Sequence, residues 1–199
     1  MAFDNLSAGN LSTGVQVNID KTSGCLTTAS QLTSPNCDER PDPEDISGIV
    51  IHNISLPPGQ FGGPWIADLF LNRLDINAHP YFAEIAGLKV SSHLLIRRDG
   101  EIQQFVPFHQ RAWHAGQSCW DDRERCNDFT IGIELEGDDF SPFESVQYQQ
   151  LVTVIKLLIA TYPKLSAERI IGHEHIAPGR KTDPGPYFDW QQLQNLLRA

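Results

Sequence analysis

Phe129-Thr130-Ile131-Gly132-Ile133-Glu134-Leu135-Glu136-Gly137 is the stretch that decides the architecture. Ile131, Ile133 and Leu135 take alternate positions, with Gly132, Glu134 and Glu136 between them. A period of two places the apolar set on one face of a strand and the carboxylates on the other. The next segment, Pro142 to Tyr162, carries Tyr148, Leu151, Val152, Ile155, Leu158 and Ile159 at helical spacing, the strongest amphipathic pattern in the chain. A helix with one apolar stripe buries it most directly on the apolar face of a sheet, which points to an α/β layer.

Towards the N-terminus, Ile46 to Ser55 contains the run Ile49-Val50-Ile51, which fits a buried strand ending at His52 and Asn53. Leu56 to Gly63 holds Pro57, Pro58, Gly59, Gly62 and Gly63 and predicts a long loop. Pro64 then opens a helix with Trp65, Ile66, Leu69 and Phe70 on its apolar side. Ser91 to Arg97 and Glu101 to Pro107 form two β-rich runs about Arg98-Asp99-Gly100, a hairpin signal. Arg111-Ala112-Trp113-His114-Ala115-Gly116 has neither helical nor strand period. Towards the C-terminus, Ser166 to Gly172 is a short apolar return. A stretch broken by Pro178, Gly179, Pro184, Gly185 and Pro186 then presents Arg180, Lys181 and Asp183, and Phe188 to Leu197 closes as a helix. Residues 1 to about 45 are rich in Ser, Thr, Asn, Gly and Asp. One weak strand is expected there over Gly14 to Ile19, with Val15, Val17 and Ile19 on one face.

The chain of 199 residues, 40% hydrophobic and 20% charged, is long enough for one buried core. A net charge of -10 argues against general binding to nucleic acid or anionic membranes, which need a basic footprint. Arg123, Arg125, Arg180 and Lys181 near the polar motifs leave room for a locally positive cleft that meets an anionic substrate. Met1 to Ser7 has neither a positive nor an apolar leader region, and no segment approaches about 18 uninterrupted apolar residues, so a soluble, unexported protein is expected. Cys25, Cys37, Cys119 and Cys126 show no Cys-x-x-Cys spacing and are expected as thiols, a Cys119 to Cys126 bridge being the alternative in an exported protein.

Among the histidines, His52 and His173 each end an apolar strand-like run, so two rigid elements can present imidazoles to one point. Asp183, on the proline-pinned loop, is placed to add a third ligand. Zinc with three protein ligands keeps a position for water, the arrangement of a hydrolytic site, whereas a closed structural site needs a fourth side chain, and no cysteine lies nearby in sequence. Glu134 is the better candidate for a general base, because zinc brings bound water to a pKa of about 7 where a carboxylate can take its proton. Glu136 faces the same way and is the weaker candidate. Lys181, two residues before Asp183, is a candidate for stabilising an oxyanion. Each has an ordinary alternative: a half-exposed strand glutamate, a solvated lysine, a surface loop.

Ile51-His52-Asn53, Arg111 to Gly116, Ile131 to Gly137 and Gly172-His173 through Lys181-Thr182-Asp183-Pro184-Gly185-Pro186, in that order, resemble the zinc N-acetylmuramoyl-L-alanine amidases. Within them the chain is most similar to the cytoplasmic branch acting on 1,6-anhydro-muropeptides, from about Ser34 to Trp190. The resemblance implies a single α/β domain, a central mixed sheet flanked by helices as in peptidoglycan recognition proteins. It places the zinc amidase domain at residues 34–199 after a loop-rich arm of residues 1–33, which has no counterpart. By similarity Zn2+ is held by His52, His173 and Asp183, Glu134 is the base and Lys181 the stabiliser, while Asn53, Lys89, Trp113 and Arg125 contact substrate. Relatives such as phage amidases often have cysteine at Asp183; the carboxylate matches the anhydro-muropeptide branch. His93, His114 and His175 are expected to pack or hydrogen-bond rather than to ligate. The implied reaction is hydrolysis of the amide between (1,6-anhydro-)N-acetylmuramic acid and L-alanine, in cytoplasmic cell-wall recycling, at a sheet edge beneath loops 56–63 and 111–126. The rivals are a muropeptide-binding module that has lost catalysis, and a zinc peptidase acting on the stem peptide.

Overall fold

The computed structural model describes residues 17–199. In chain order, β1 (Ile19–Asp20), β2 (Cys25–Leu26), β3 (Ser30–Gln31), β4 (Cys37–Glu39) and β5 (Gly48–Ile54) precede the helices α1 (Trp65–Phe70) and α2 (Pro80–Glu84). Next come β6 (Leu94–Ile96), β7 (Ile102–Gln104), β8 (Gln110–Ala112), β9 (Cys119–Trp120), β10 (Arg123–Glu124) and β11 (Thr130–Glu136). The chain ends with α3 (Ser145–Thr161), β12 (Ile170–Gly172), α4 (His173–Ile176) and α5 (Trp190–Arg198).

Among the described residues, six strands make the main sheet in the order β12-β5-β11-β6-β7-β3. The first four are parallel, β7 runs antiparallel to β6, and β3 parallel to β7, so the sheet is mixed. The β6-β7 hairpin turns at the expected Asp99-Gly100, where Gly100 takes φ 88°, a conformation open to glycine and strained for other residues. Parallel strands buried on both faces need apolar runs, and Ile49, Ile51, Ile131, Ile133 and Leu135 are all fully buried. They pack against Leu151, Ile155 and Leu158 of α3 and Leu193 of α5. Truncating any of these isoleucines to alanine costs about 2–5 kcal/mol.

The α3 helix starts at Ser145, where Gln147 Oε1 accepts from the Glu144 N–H at 2.9 Å in a capping box. The same side chain donates its amide hydrogens to the carbonyls of Ile96 and Glu136, both at 3.1 Å, which fixes the helix to the ends of β6 and β11. On the sheet's other face, Leu95 joins Phe70, Phe82 and Phe105 beneath α1 and α2, and Val50 joins Trp120, Phe129 and Ile176.

Residues 17–33, assigned above to the arm, share the main core: Ile19 and Leu26 lie in it, and β3 pairs with β7. The Leu26 N–H donates to Gln104 Oε1 at 2.7 Å. Of the strand expected over Gly14 to Ile19, only Ile19 is in β1, and residues 14–16 lie outside the described residues. All four cysteines are free, so the Cys119 to Cys126 bridge is not formed. Among the described residues no helix is long and apolar enough to cross a membrane.

Candidate metal and catalytic site

The parallel register brings the polar groups together. β12 lies beside β5 with Gly172 opposite Ile51, so His173, the first residue of α4, comes level with His52. On the other side of β5, Glu134 is directly opposite His52. Three adjacent parallel strands thus deliver an imidazole, an imidazole and a carboxylate at their carboxyl ends, where open α/β sheets form their sites. Asp183 arrives on the loop after α4, held by a hydrogen bond from the Glu174 N–H to its own backbone carbonyl at 2.8 Å. Gly172 allows that approach, since a Cβ there would overlap the Pro184 ring.

His52 Nδ1, His173 Nδ1 and Asp183 Oδ2 form a triangle with edges of 3.0, 2.9 and 3.0 Å. Donors around a tetrahedral zinc at about 2.0–2.1 Å stand roughly 3.3–3.4 Å apart, so the triangle needs to open by only a few tenths of an ångström to hold one. Proton placement gives a second test of fit. His173 Nε2 lies 3.0 Å from the Ala115 carbonyl, which only accepts, so the neutral ring carries its proton there. Nδ1 of that tautomer is bare and faces the Asp183 oxygen at 3.0 Å, so the two can share a cation. His52 and His173 are each 2% exposed. Burial, reinforced by the neighbouring His173 and Lys181 and opposed by Asp183, brings the His52 pKa down to about 4, keeping the ring neutral as a ligand requires. Burial alone would raise the Asp183 carboxyl, but the His173 and His52 rings beside it outweigh this and hold it well below the usual carboxylate range. Two imidazoles and a carboxylate can therefore hold a metal ion here.

Glu134 is 8% exposed, and its Oε2 is buried without a hydrogen-bond partner among the described residues. Burial and the charge of Asp183 push its pKa well above the ordinary glutamate value, against the pull of Lys181. Lys181 is exposed at the rim of the same cleft of about 220 Å³, which His52, Glu134, His173 and Asp183 also line. A buried carboxyl with a raised pKa, a cationic rim and a three-donor cluster thus line one cleft.

Comparison with known proteins fixes the family. The family described as N-acetylmuramoyl-L-alanine amidase matches residues 42–186. The chain belongs to the N-acetylmuramoyl-L-alanine amidase family. This amidase is 59% identical over 174 residues to the 1,6-anhydro-N-acetylmuramyl-L-alanine amidase AmpD of Salmonella typhimurium (strain SL1344), covering 87% of this chain and 92% of that protein. It is 58% identical over 174 residues to AmpD of Escherichia coli (strain K12), covering 87% and 94%. A crystal structure of a selenomethionine AmpD derivative superposes with a TM-score of 0.86 at 59% identity, covering 88% of this chain and 97% of that one. E. coli AmiD in complex with anhydro-N-acetylmuramic acid-L-Ala-D-gamma-Glu-L-Lys matches with a TM-score of 0.56 at 35% identity, covering 76% of this chain and 57% of that one.

The structure distributes the expected substrate contacts of this amidase unevenly. Asn53 lines the cleft. Its amide nitrogen donates to Asp139 Oδ1 at 2.7 Å and to the Pro184 carbonyl at 3.0 Å, so both hydrogens are engaged and Oδ1 is left to accept. Lys89 is exposed in an adjoining hollow of about 370 Å³ beside Leu69 and Ile85, and Arg125 lies with Arg180 in another of about 400 Å³. Trp113 is half-buried and donates through Nε1 to Asp38 Oδ1 at 3.2 Å. Glu136, the weaker base candidate, is an anchor: it accepts from the Gly62 N–H at 2.7 Å and the Arg98 N–H at 3.2 Å, fastening loop 56–63 to the sheet. Tyr81 on α2 and Ser91 also line the cleft, and the sequence reading missed both. The available signal for α2 was His79-Pro80, in which the imidazole accepts from the Tyr81 N–H and proline fills the first helical position.

Proposed function

We propose that His52, His173 and Asp183 hold one zinc ion, and that this amidase hydrolyses the amide between the lactyl group of (1,6-anhydro-)N-acetylmuramic acid and L-alanine. We place that reaction in the cytoplasm, as a step of cell-wall recycling. The observation that carries the reading is Glu134 Oε2, without a hydrogen-bond partner among the described residues, beside the three-donor cluster, in a chain 59% identical to a protein named for this activity. Two imidazole nitrogens and one carboxylate oxygen suit zinc by donor type. Bound there, zinc supplies Lewis acidity, polarising the amide carbonyl and acidifying water.

Glu134 takes the proton of the attacking water at its free carboxylate oxygen and passes it to the leaving amine of L-alanine. Its raised pKa makes it a better proton acceptor from that water than an ordinary glutamate. Lys181 sets its ammonium against the charge developing on the carbonyl oxygen. Asn53 Oδ1 accepts from a substrate N–H or O–H, and Arg125 and Lys89 receive peptide carboxylates in the flanking hollows. A muropeptide-binding module without catalysis has no use for all five of these ligand, base and stabiliser residues, and this chain has all five. Mass spectrometry of a defined 1,6-anhydromuramoyl tripeptide tests the reading. Intact tripeptide and free sugar acid are expected, with the reaction stopped by chelation; cleavage within the peptide instead makes the protein a peptidase.

A further inference from the structure

We propose that His114-Ala115 is the positioning element of the metal site, with the His114 ring setting which nitrogen of His52 faces the cluster. The inference rests on the proposed metal site and deepens it. A chain of hydrogen bonds with only one consistent direction carries it. The Thr130 hydroxyl lies 2.6 Å from the Cys126 carbonyl, which can only accept, so Thr130 donates there. Its oxygen therefore meets His114 Nε2, at 3.3 Å, as an acceptor, and the ring's proton sits on Nε2. His114 is buried and no carboxylate pairs with it among the described residues, so the ring is neutral and its Nδ1 is bare. That Nδ1 lies 3.0 Å from His52 Nε2 and accepts its hydrogen, leaving His52 Nδ1 free to face Asp183 and His173.

The second ligand is set by the next residue, since His173 Nε2 donates to the Ala115 carbonyl at 3.0 Å. Asn127 Oδ1 holds the segment, accepting from the His114 N–H at 3.1 Å and the Ala115 N–H at 2.7 Å. Gly132 makes the room: a Cβ at that β11 position would overlap the His114 ring. Two consecutive residues thus orient both imidazoles, one by its ring and one by its carbonyl. This gives a task to the Arg111 to Gly116 motif, which has no secondary-structure period of its own.

The test compares wild type, His114→Leu and His114→Asn by competition with a chromogenic chelator for zinc, with circular dichroism as the control for folding. Leucine keeps buried bulk and removes the acceptor; it should weaken zinc binding by about 10- to 100-fold. Asparagine is smaller, but its Oδ1 stands where Nδ1 does, so it should bind zinc more tightly than the leucine variant; a purely packing role predicts the reverse order. In zinc-loaded wild type, ring ¹⁵N shifts should place the His114 proton on Nε2. Unchanged affinity in His114→Leu, asparagine below leucine, or a proton on His114 Nδ1 overturns the inference. Should the leucine variant not fold, the ring shifts of the native protein decide alone. A wild type that binds no zinc removes the metal site itself, whereas tight zinc in both wild type and His114→Leu removes only this inference.

Discussion

Glu134→Gln should make the metal-free protein more stable and the enzyme nearly inactive. The native carboxylate is buried at the cleft floor with Oε2 unpartnered, an arrangement that costs about 1–3 kcal/mol, and more when the group is charged. Glutamine removes the charge but leaves a polar end, so the gain lies near the lower end, about 1 kcal/mol. For a chain of this size that is roughly 2–4 °C in Tm. The sign depends on pH. Because burial and Asp183 raise the folded pKa above 4.5, the folded state holds this proton more tightly than the unfolded chain. Wild-type stability therefore falls as pH rises from 4.5 towards the raised value, while glutamine does not titrate. The Tm difference should be near zero at about pH 4 and open up as pH rises through and above 4.5. Scanning calorimetry of chelator-treated protein reads this, and hydrolysis of the anhydromuramoyl peptide should drop about 10²- to 10⁴-fold. A variant no more stable than wild type at any pH, or one with near-normal turnover, would refute the assignment of Glu134 as an orphaned base.

Lys181→Ala should leave zinc content unchanged and lower kcat about 10²- to 10³-fold, as expected for losing a group that meets charge only in the transition state; a change confined to KM would instead make it a binding residue. Acid should destabilise the metal-free fold steeply. His52, His93 and His114 are buried and neutral with pKa values below 6.5, so the unfolded chain takes protons first and stability is lost as pH falls from 6.5. Each contributes up to about 1.4 kcal/mol per pH unit, Glu134 offsets up to one such slope, and Asp183 adds a loss only below its unfolded value. A urea midpoint that stays flat between about pH 6.5 and 5 contradicts this. Glu136→Ala should cost about 1.5–3 kcal/mol by releasing Gly62 and Arg98 without altering zinc affinity; a zinc affinity that falls with it would tie Glu136 to the cluster.

Long periodic segments were the legible ones. The alternation at Ile131 to Leu135, the Ile49-Val50-Ile51 run and the α3 stripe each announce the surface they bury, and all three are where the patterns put them. Only the ends move: α3 begins at Ser145 rather than near Pro142, because the Glu144 and Gln147 capping box places the first turn. Strands of two or three residues have no period to read, so the pairings of β4 with β8 and β3 with β7 were hidden. Such pairs are chosen by the rest of the fold rather than by their own side chains. At the site, His52 and His173 stood out because each ends an apolar run, but the register that sets them level is a property of the sheet. Gly132 was read only as an alternating strand position, and the His114 ring packed against it is visible only in the fold. Long side chains are hardest to place from spacing: Asn53 lies in the cleft, while Lys89 and Arg125 open onto separate hollows.

X-ray absorption at the zinc edge on the active enzyme tests the central claim most directly. It should find one zinc per chain with a first shell of nitrogen and oxygen only, two imidazole scattering patterns, and intensity lost in His52→Ala or Asp183→Ala. A sulfur neighbour drawn from one of the four free cysteines, or a spectrum unchanged by those substitutions, would contradict it.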